Sequence, residues 1–177
     1  MSALASVAVM ASSSSSGLSP SDAVVALRSF PRRYRELFVS LKGDDTIDAL
    51  ALRMGPTGES AAQVVSDVTR TWALQADALH RVLFTNDALL HPALSDPSQR
   101  AWDTPHPESL DDTLVLLGHE ADGLVEVIER VSPPSDWARS APVAGGSTVT
   151  ALDIVRDAVE TGADGLRRAR TALGQTA

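Results

Sequence analysis

Residues 110–131 read LDDTLVLLGHEADGLVEVIERV. Leu110, Leu114, Leu117, Ala121, Leu124, Ile128 and Val131 follow one another at alternating spacings of four and three, which puts them on one stripe of an α-helix. Such a stripe is a seam for packing against other helices; a half-buried strand would alternate every second residue. Ser109, three residues before Asp112, is placed to cap the helix start, and Pro133-Pro134 ends it.

Three more long helices read outward from this one. Before it, Ser60-Ala61-Ala62-Gln63 has the form of a capping box and opens a stripe of Val65, Val68, Trp72, Ala76, Leu79 and Leu83 that fades at Thr85-Asn86-Asp87. The first helix opens near Ser19-Pro20-Ser21 and spaces Leu27, Phe30, Tyr34, Leu37, Phe38 and Leu41 helically, with Pro31 expected to kink it or mark its true start. After the central stripe, Thr150 with Asp153 caps a last helix carrying Leu152, Val155, Val159, Ala163, Leu166 and Leu173. A short helix is expected at 46–53 and a turn at Gly55–Gly58. Residues 90–107, with four prolines, read as a long irregular loop, and a connection through Trp137 and Gly145-Gly146 leads into the last helix. The expected fold class is all-α: a four-helix bundle over residues 20–177, with long loops after the second and third helices. Residues 1–19 start apolar but carry no positive charge and run into Ser12–Ser16, so a disordered tail is expected there and not a secretory signal.

Composition narrows the function classes. With 177 residues, 44% hydrophobic but only 4% aromatic, the chain has material for one core built mainly from Leu, Val and Ala. A net charge of -8 disfavours a nucleic-acid partner, because phosphate binding rests on clustered cations. Cys 0 removes disulfides, Cys-ligated metals and a Cys nucleophile, so thiol chemistry would need an external thiol. No apolar run reaches the length of a membrane span, and the cytoplasm is the expected location.

Four pieces in order carry a resemblance: Phe30-Pro31-Arg32-Arg33-Tyr34-Arg35-Glu36-Leu37, the Ser60–Gln63 opening, Asn86-Asp87, and Val149-Thr150-Ala151-Leu152-Asp153-Ile154-Val155-Arg156. Together they resemble the DinB-like superfamily, which includes mycothiol-dependent maleylpyruvate isomerases and thiol transferases. The resemblance covers about Ser19 to Leu173. It implies a four-helix bundle, often a homodimer, acting on a small-molecule ligand with an external thiol such as mycothiol, and a divalent metal held by three histidines. On this sequence the three histidine positions fall on Asp67, Glu160 and Asp164, all acidic, while His80, His91, His106 and His119 fall elsewhere.

Two readings of that trio stand side by side. As a site, three carboxylates suit Mn, Mg or Ca better than nickel or zinc, or, without a metal, leave one carboxylic acid as a general acid or base. As surface, Asp153, Asp157, Glu160 and Asp164 form a solvated stripe on the last helix, with Arg156–Glu160 and Asp164–Arg168 as i, i+4 pairs. Asp67 resists the surface reading, since it shares a stripe with Val64, Thr71, Leu74 and Ala78. Trp72, Trp102 and His106 are the candidates for lining a substrate pocket, with core packing the plainer role for Trp72. His119-Glu120 lacks the second histidine of a zinc-protease motif, because position 123 is Gly. Gly162 and Gly165 inside the last helix mean either close packing or room for a ligand. Three functions follow: a DinB-like enzyme using the carboxylate trio, a catalytically inactive binding or regulatory module, or a carboxylate-ligated metal protein.

Overall fold

The computed structural model describes residues 17–39, 46–100 and 107–175. Four long helices, α1 (Pro20–Val39), α3 (Ala61–Phe84), α4 (Leu110–Glu129) and α5 (Ala151–Ala172), form the bundle, with the short α2 (Ile47–Leu52) between the first two. Residues 1–16, most of the expected tail, and Leu41 of the first stripe lie outside the described residues.

The caps read from the sequence are in place. Ser60 and Gln63 close a reciprocal capping box at α3, Thr150 and Asp153 another at α5, and the Ser109 hydroxyl accepts from the Asp112 amide at α4. α1 runs through Pro31, which has no N–H to return to the carbonyl four residues back.

Three contacts fix helix directions. Arg28 in the first half of α1 pairs with Glu129 at the end of α4, the Leu110 amide donates to Asp48 of α2, and Gly55, in the turn after α2, lies against Ala172 at the end of α5. So α1 and α5 run one way and α3 and α4 the other. Around the bundle each helix has one parallel and one antiparallel neighbour, with α1 diagonal to α3 and α4 diagonal to α5. Parallel neighbours cannot be joined by a tight turn, so residues 85–109 must travel back along the bundle from the end of α3 to the start of α4. That is why the proline-rich segment is long. It opens with 3-10 turns at Pro92–Leu94 and Pro97–Arg100.

The connection before α5 departs from expectation. It holds a 3-10 turn (Pro134–Ala138) and an antiparallel hairpin, β1 (Ser140–Pro142) and β2 (Thr148–Thr150), in register Ser140↔Thr150. Strands of three residues are too short to show an alternating pattern. Leu90 is stitched to the hairpin end through the Pro142 carbonyl and the Ala144 amide.

Burial on α5 is rotated by about 80° from the Leu/Val stripe, at 100° per residue. Its buried face is Ala151, Ile154, Val155, Ala158, Gly162, Gly165, Leu166, Ala169 and Ala172, while Ala163 is exposed. Small residues carry this face because large side chains from α1 and α3 need the space. A Cβ at Gly162 would sit 2.7 Å from the Phe30 ring and 2.8 Å from Trp72, and one at Gly165 would overlap Val68 and the Tyr34 hydroxyl. The two glycines therefore serve close packing and leave no ligand space. Gly162→Ala is expected to lower stability by about 1–3 kcal/mol through overpacking, against the ~1 kcal/mol that Ala gains in a helix. The check is the urea midpoint; an unchanged or higher midpoint would show that the rings give way.

Candidate functional site

A polar row crosses the seam between α3 and α5. On α3, Asp67, Thr71 and Gln75 recur every four residues beside buried Val64 and Ala78, so the row faces a neighbour and not solvent. On α5, Asp157, Thr161, Asp164 and Arg168 recur at spacings of four, three and four along the flank turned to α3.

At the lower end, the half-exposed Arg168 guanidinium bridges two carboxylates. Nη1 donates to Asp67 Oδ2 at 2.8 Å and Nη2 to Glu59 Oε1 at 2.7 Å, which joins α5, α3 and the residue before the α3 cap. Burial opposes the charge on Arg168, but the hydrogen bonds it donates to Asp67 and Glu59 outweigh it and hold the group more firmly protonated than an ordinary arginine. A cavity of about 300 Å³ opens beside it, lined by Thr57, Glu59, Asp164, Arg167, Arg168 and Thr171.

At the upper end, Gln75 is fully buried. Its Nε2 donates to Asp157 Oδ2 at 2.6 Å, and Arg100 Nη2 reaches the same oxygen at 2.9 Å. Arg100 also donates from Nε to the Ala93 carbonyl, so one side chain straps the start of the crossover segment onto α5. Gln75 Oε1 is buried without a hydrogen-bond partner. Asp157 faces a cavity of about 360 Å³ between the crossover segment, the hairpin and α5. Its walls carry the carboxylates of Asp153 and Asp157, the hydroxyls of Ser95, Ser147 and Thr148, and the apolar side chains of Leu94, Val149 and Ile154.

The sequence candidates fall apart on this frame. Asp67 faces Arg168 and not the acidic pair of α5; Asp164 pairs with Arg167 at 2.6 Å on an exposed flank, and Glu160 is exposed. Among the described residues no group of three or more His, Asp or Glu side chains is arranged to hold a metal ion. The residues implied as ligands do not fit a metal: the Arg168 guanidinium takes Asp67, while Glu160 and Asp164 are exposed and Asp164 pairs with Arg167. The surface reading also needs correcting: Arg168 turns to α3 and away from an i, i+4 partnership with Asp164, and Asp157 lies under the Arg100 strap. Trp72 is fully buried, its ring 5.8 Å from that of Phe30 and its Nε1 donating to the Ala158 carbonyl at 2.9 Å. It is a core residue, which removes it as a substrate-binding candidate. Trp102 and His106 lie outside the described residues. His119 is exposed on α4.

Sequence reading missed Gln75, Arg100 and Arg168. Gln75 had a usable signal, since it continues the Asp67–Thr71 stripe by another four residues. Arg100 and Arg168 had none, because their partners are distant in sequence.

No protein-family model and no curated protein matches the sequence. Among solved structures, YfiT from Bacillus subtilis superposes with a TM-score of 0.69 at 10% sequence identity, over 91% of this chain and 93% of that one. YfiT is described as "a probable metal-dependent hydrolase with an unusual four-helix bundle topology". At that identity the likeness establishes the four-helix-bundle fold. No described helix is long and apolar enough to cross a membrane.

Tyr34, on α1 beneath the seam, offers a direct probe. Its hydroxyl donates to the Gly162 carbonyl at 3.0 Å, and burial pushes the phenol well above its ordinary value, with Arg168 pulling the other way. The folded state thus keeps a proton that the unfolded chain releases near pH 10. This stabilisation is complete below about pH 10 and is lost as pH rises further. Because Tyr34 is the single tyrosine, the alkaline rise in absorbance near 295 nm, over the constant tryptophan background, reports it alone. The expected outcome is no tyrosinate signal until the protein unfolds; a smooth titration around pH 10 in folded protein would contradict the buried phenol.

Proposed function

We propose that this protein is a small-molecule-binding or regulatory module that takes a compact organic cation, an amine on an apolar body, in the cavity over the first turns of α5. The observation that carries the reading is the make-up of that cavity: two acidic residues one helical turn apart, Asp157 paired with Arg100 and Asp153 in the α5 cap, with three hydroxyl-bearing residues, an apolar floor and no cation among the lining residues themselves. An ammonium group suits the carboxylates, and the apolar body suits Leu94, Val149 and Ile154. About 360 Å³ is at the small end of ligand pockets, so the ligand is compact. The contacts of Asp157 with Gln75 and Arg100 fix the carboxylate before a ligand arrives, which limits the ordering cost of binding.

The thiol-dependent and hydrolytic readings call for a metal seat, and the Asp67 carboxylate that would serve it is paired with Arg168. They are therefore not part of this proposal.

The test is isothermal titration with 2-phenylethylamine and agmatine, against 2-phenylethanol and phenylacetate as neutral and anionic controls. The amines are expected to bind and the controls not. Asp157→Asn is expected to weaken the amines by about tenfold or more, the loss of one charged hydrogen bond. Equal binding of 2-phenylethanol, or amine affinity unchanged in Asp157→Asn, would overturn the reading.

A further inference from the structure

The bundle face formed by α1 and α4 lies away from both polar clusters of the α3–α5 seam, and its charges are sorted by helix. On α1, Arg28, Arg32 and Arg35 recur at spacings of four and three on the outer flank turned to α4, with Val25 before them and Val39 after. From Leu110 to Glu129, α4 has no lysine or arginine. Its outer flank turned to α1 presents Val115, Gly118, Asp122, Glu126 and Glu129. One ion pair joins the two rows within the chain, Arg28 with Glu129, while Arg32 is taken by Glu36 and Glu126 by Arg130. The side chains of Arg35 and Asp122 have no partner among the described residues.

Two apolar features of this face gain nothing inside one chain. Val25, Val39 and Val115 are 70%, 73% and 63% exposed, although valine is a poorer helix former than the long polar residues and is favoured only when covered. Gly118 weakens α4 relative to alanine, yet a Cβ there would meet nothing within 4 Å among the described residues. We propose that this face is the interface between two copies of this chain, the α1 of each copy lying over the α4 of the other. Charge selects the symmetry. A twofold axis across the helices would set α1 on α1 and α4 on α4, arginine against arginine and acid against acid. An axis parallel to the helices sets each arginine row on an acidic row, antiparallel and at unchanged levels. Those levels count from the Arg28–Glu129 pair, because both helices rise equally per residue. Arg32 falls beside Glu126, Arg35 level with Asp122, and Val39 level with Gly118. The unpartnered cation thus meets the unpartnered acid, and the exposed valine meets the gap left by the glycine, a knob over a hole.

The test is sedimentation equilibrium of the full chain at low ionic strength. Wild type is expected to be a dimer that loosens as salt is added, since its contacts are largely ionic. Arg35→Glu and Asp122→Arg each turn both symmetry-related pairs repulsive, and each alone is expected to weaken the dimer about tenfold or more. An equimolar mixture of the two variants is expected to dimerise as wild type does, because one pair is then native and the other reversed in sign. Only a pair formed between copies, with α1 on α4, recovers in this way. Both residues are exposed, so the variants are expected to keep the wild-type near-ultraviolet tryptophan signal. Wild type that stays monomeric at millimolar concentration would overturn the proposal, as would single variants that dimerise as wild type does or weakened variants that do not recover on mixing.

Discussion

The arrangement depends on how closely α5 approaches α1 and α3. Two buried aromatic side chains from those helices donate to backbone carbonyls of α5, Trp72 to Ala158 and Tyr34 to Gly162, and each carbonyl has a second lone pair for such a bond. The polar tips of both rings are thereby satisfied inside the core, where leaving either unpaired would be costly. Gly162 and Gly165 are the complement of those rings. Without them the helices could not come close enough for either hydrogen bond, and the polar row above would not align.

That approach sets the chemistry of the seam. Once Trp72 and Tyr34 fix the rotation of α5, Asp157 and Arg168 lie on the flank that faces α3, opposite Gln75 and Asp67. Two polar clusters result, each combining residues of α3 and α5 with one from a connecting segment, Arg100 above and Glu59 below. The long connections are thus tied down by charge at the places where the helices offer polar partners. Elsewhere in the seam, apolar and small residues seal the contact.

Helix number, boundaries and caps were legible because they rest on local chemistry: Ser60 with Gln63, Thr150 with Asp153, and the four-three spacing from Leu110. The face of α5 was not, because hydropathy points to Leu152 and Val159 while the burial is carried by glycine and alanine. Within the site, Asp67 was legible as an acid on an otherwise apolar stripe. Its partner was not, since Asp164 lies four residues from Arg168 in sequence and Asp67 lies across the bundle. Only the order of the helices decides between those two, and a stripe of apolar residues does not encode that order. The length of residues 85–109 hinted at a crossover without saying which helices it made parallel.

The diagonal placement of α1 against α3 and of α4 against α5 has a consequence for how the chain folds. Of the three pairs of long helices consecutive in sequence, only α3 and α4 pack side by side; α1 and α3 meet across the core through Phe30 and Trp72. Most of the contacts of α1 are with α4 and α5, so they wait for most of the chain to be made. An up-and-down bundle of the same size nucleates on adjacent hairpins, whereas this one must close long loops before packing repays the entropy. On that ground folding is expected to be slower than the helical content alone suggests, because the contacts that hold α1 in place come from the far end of the chain.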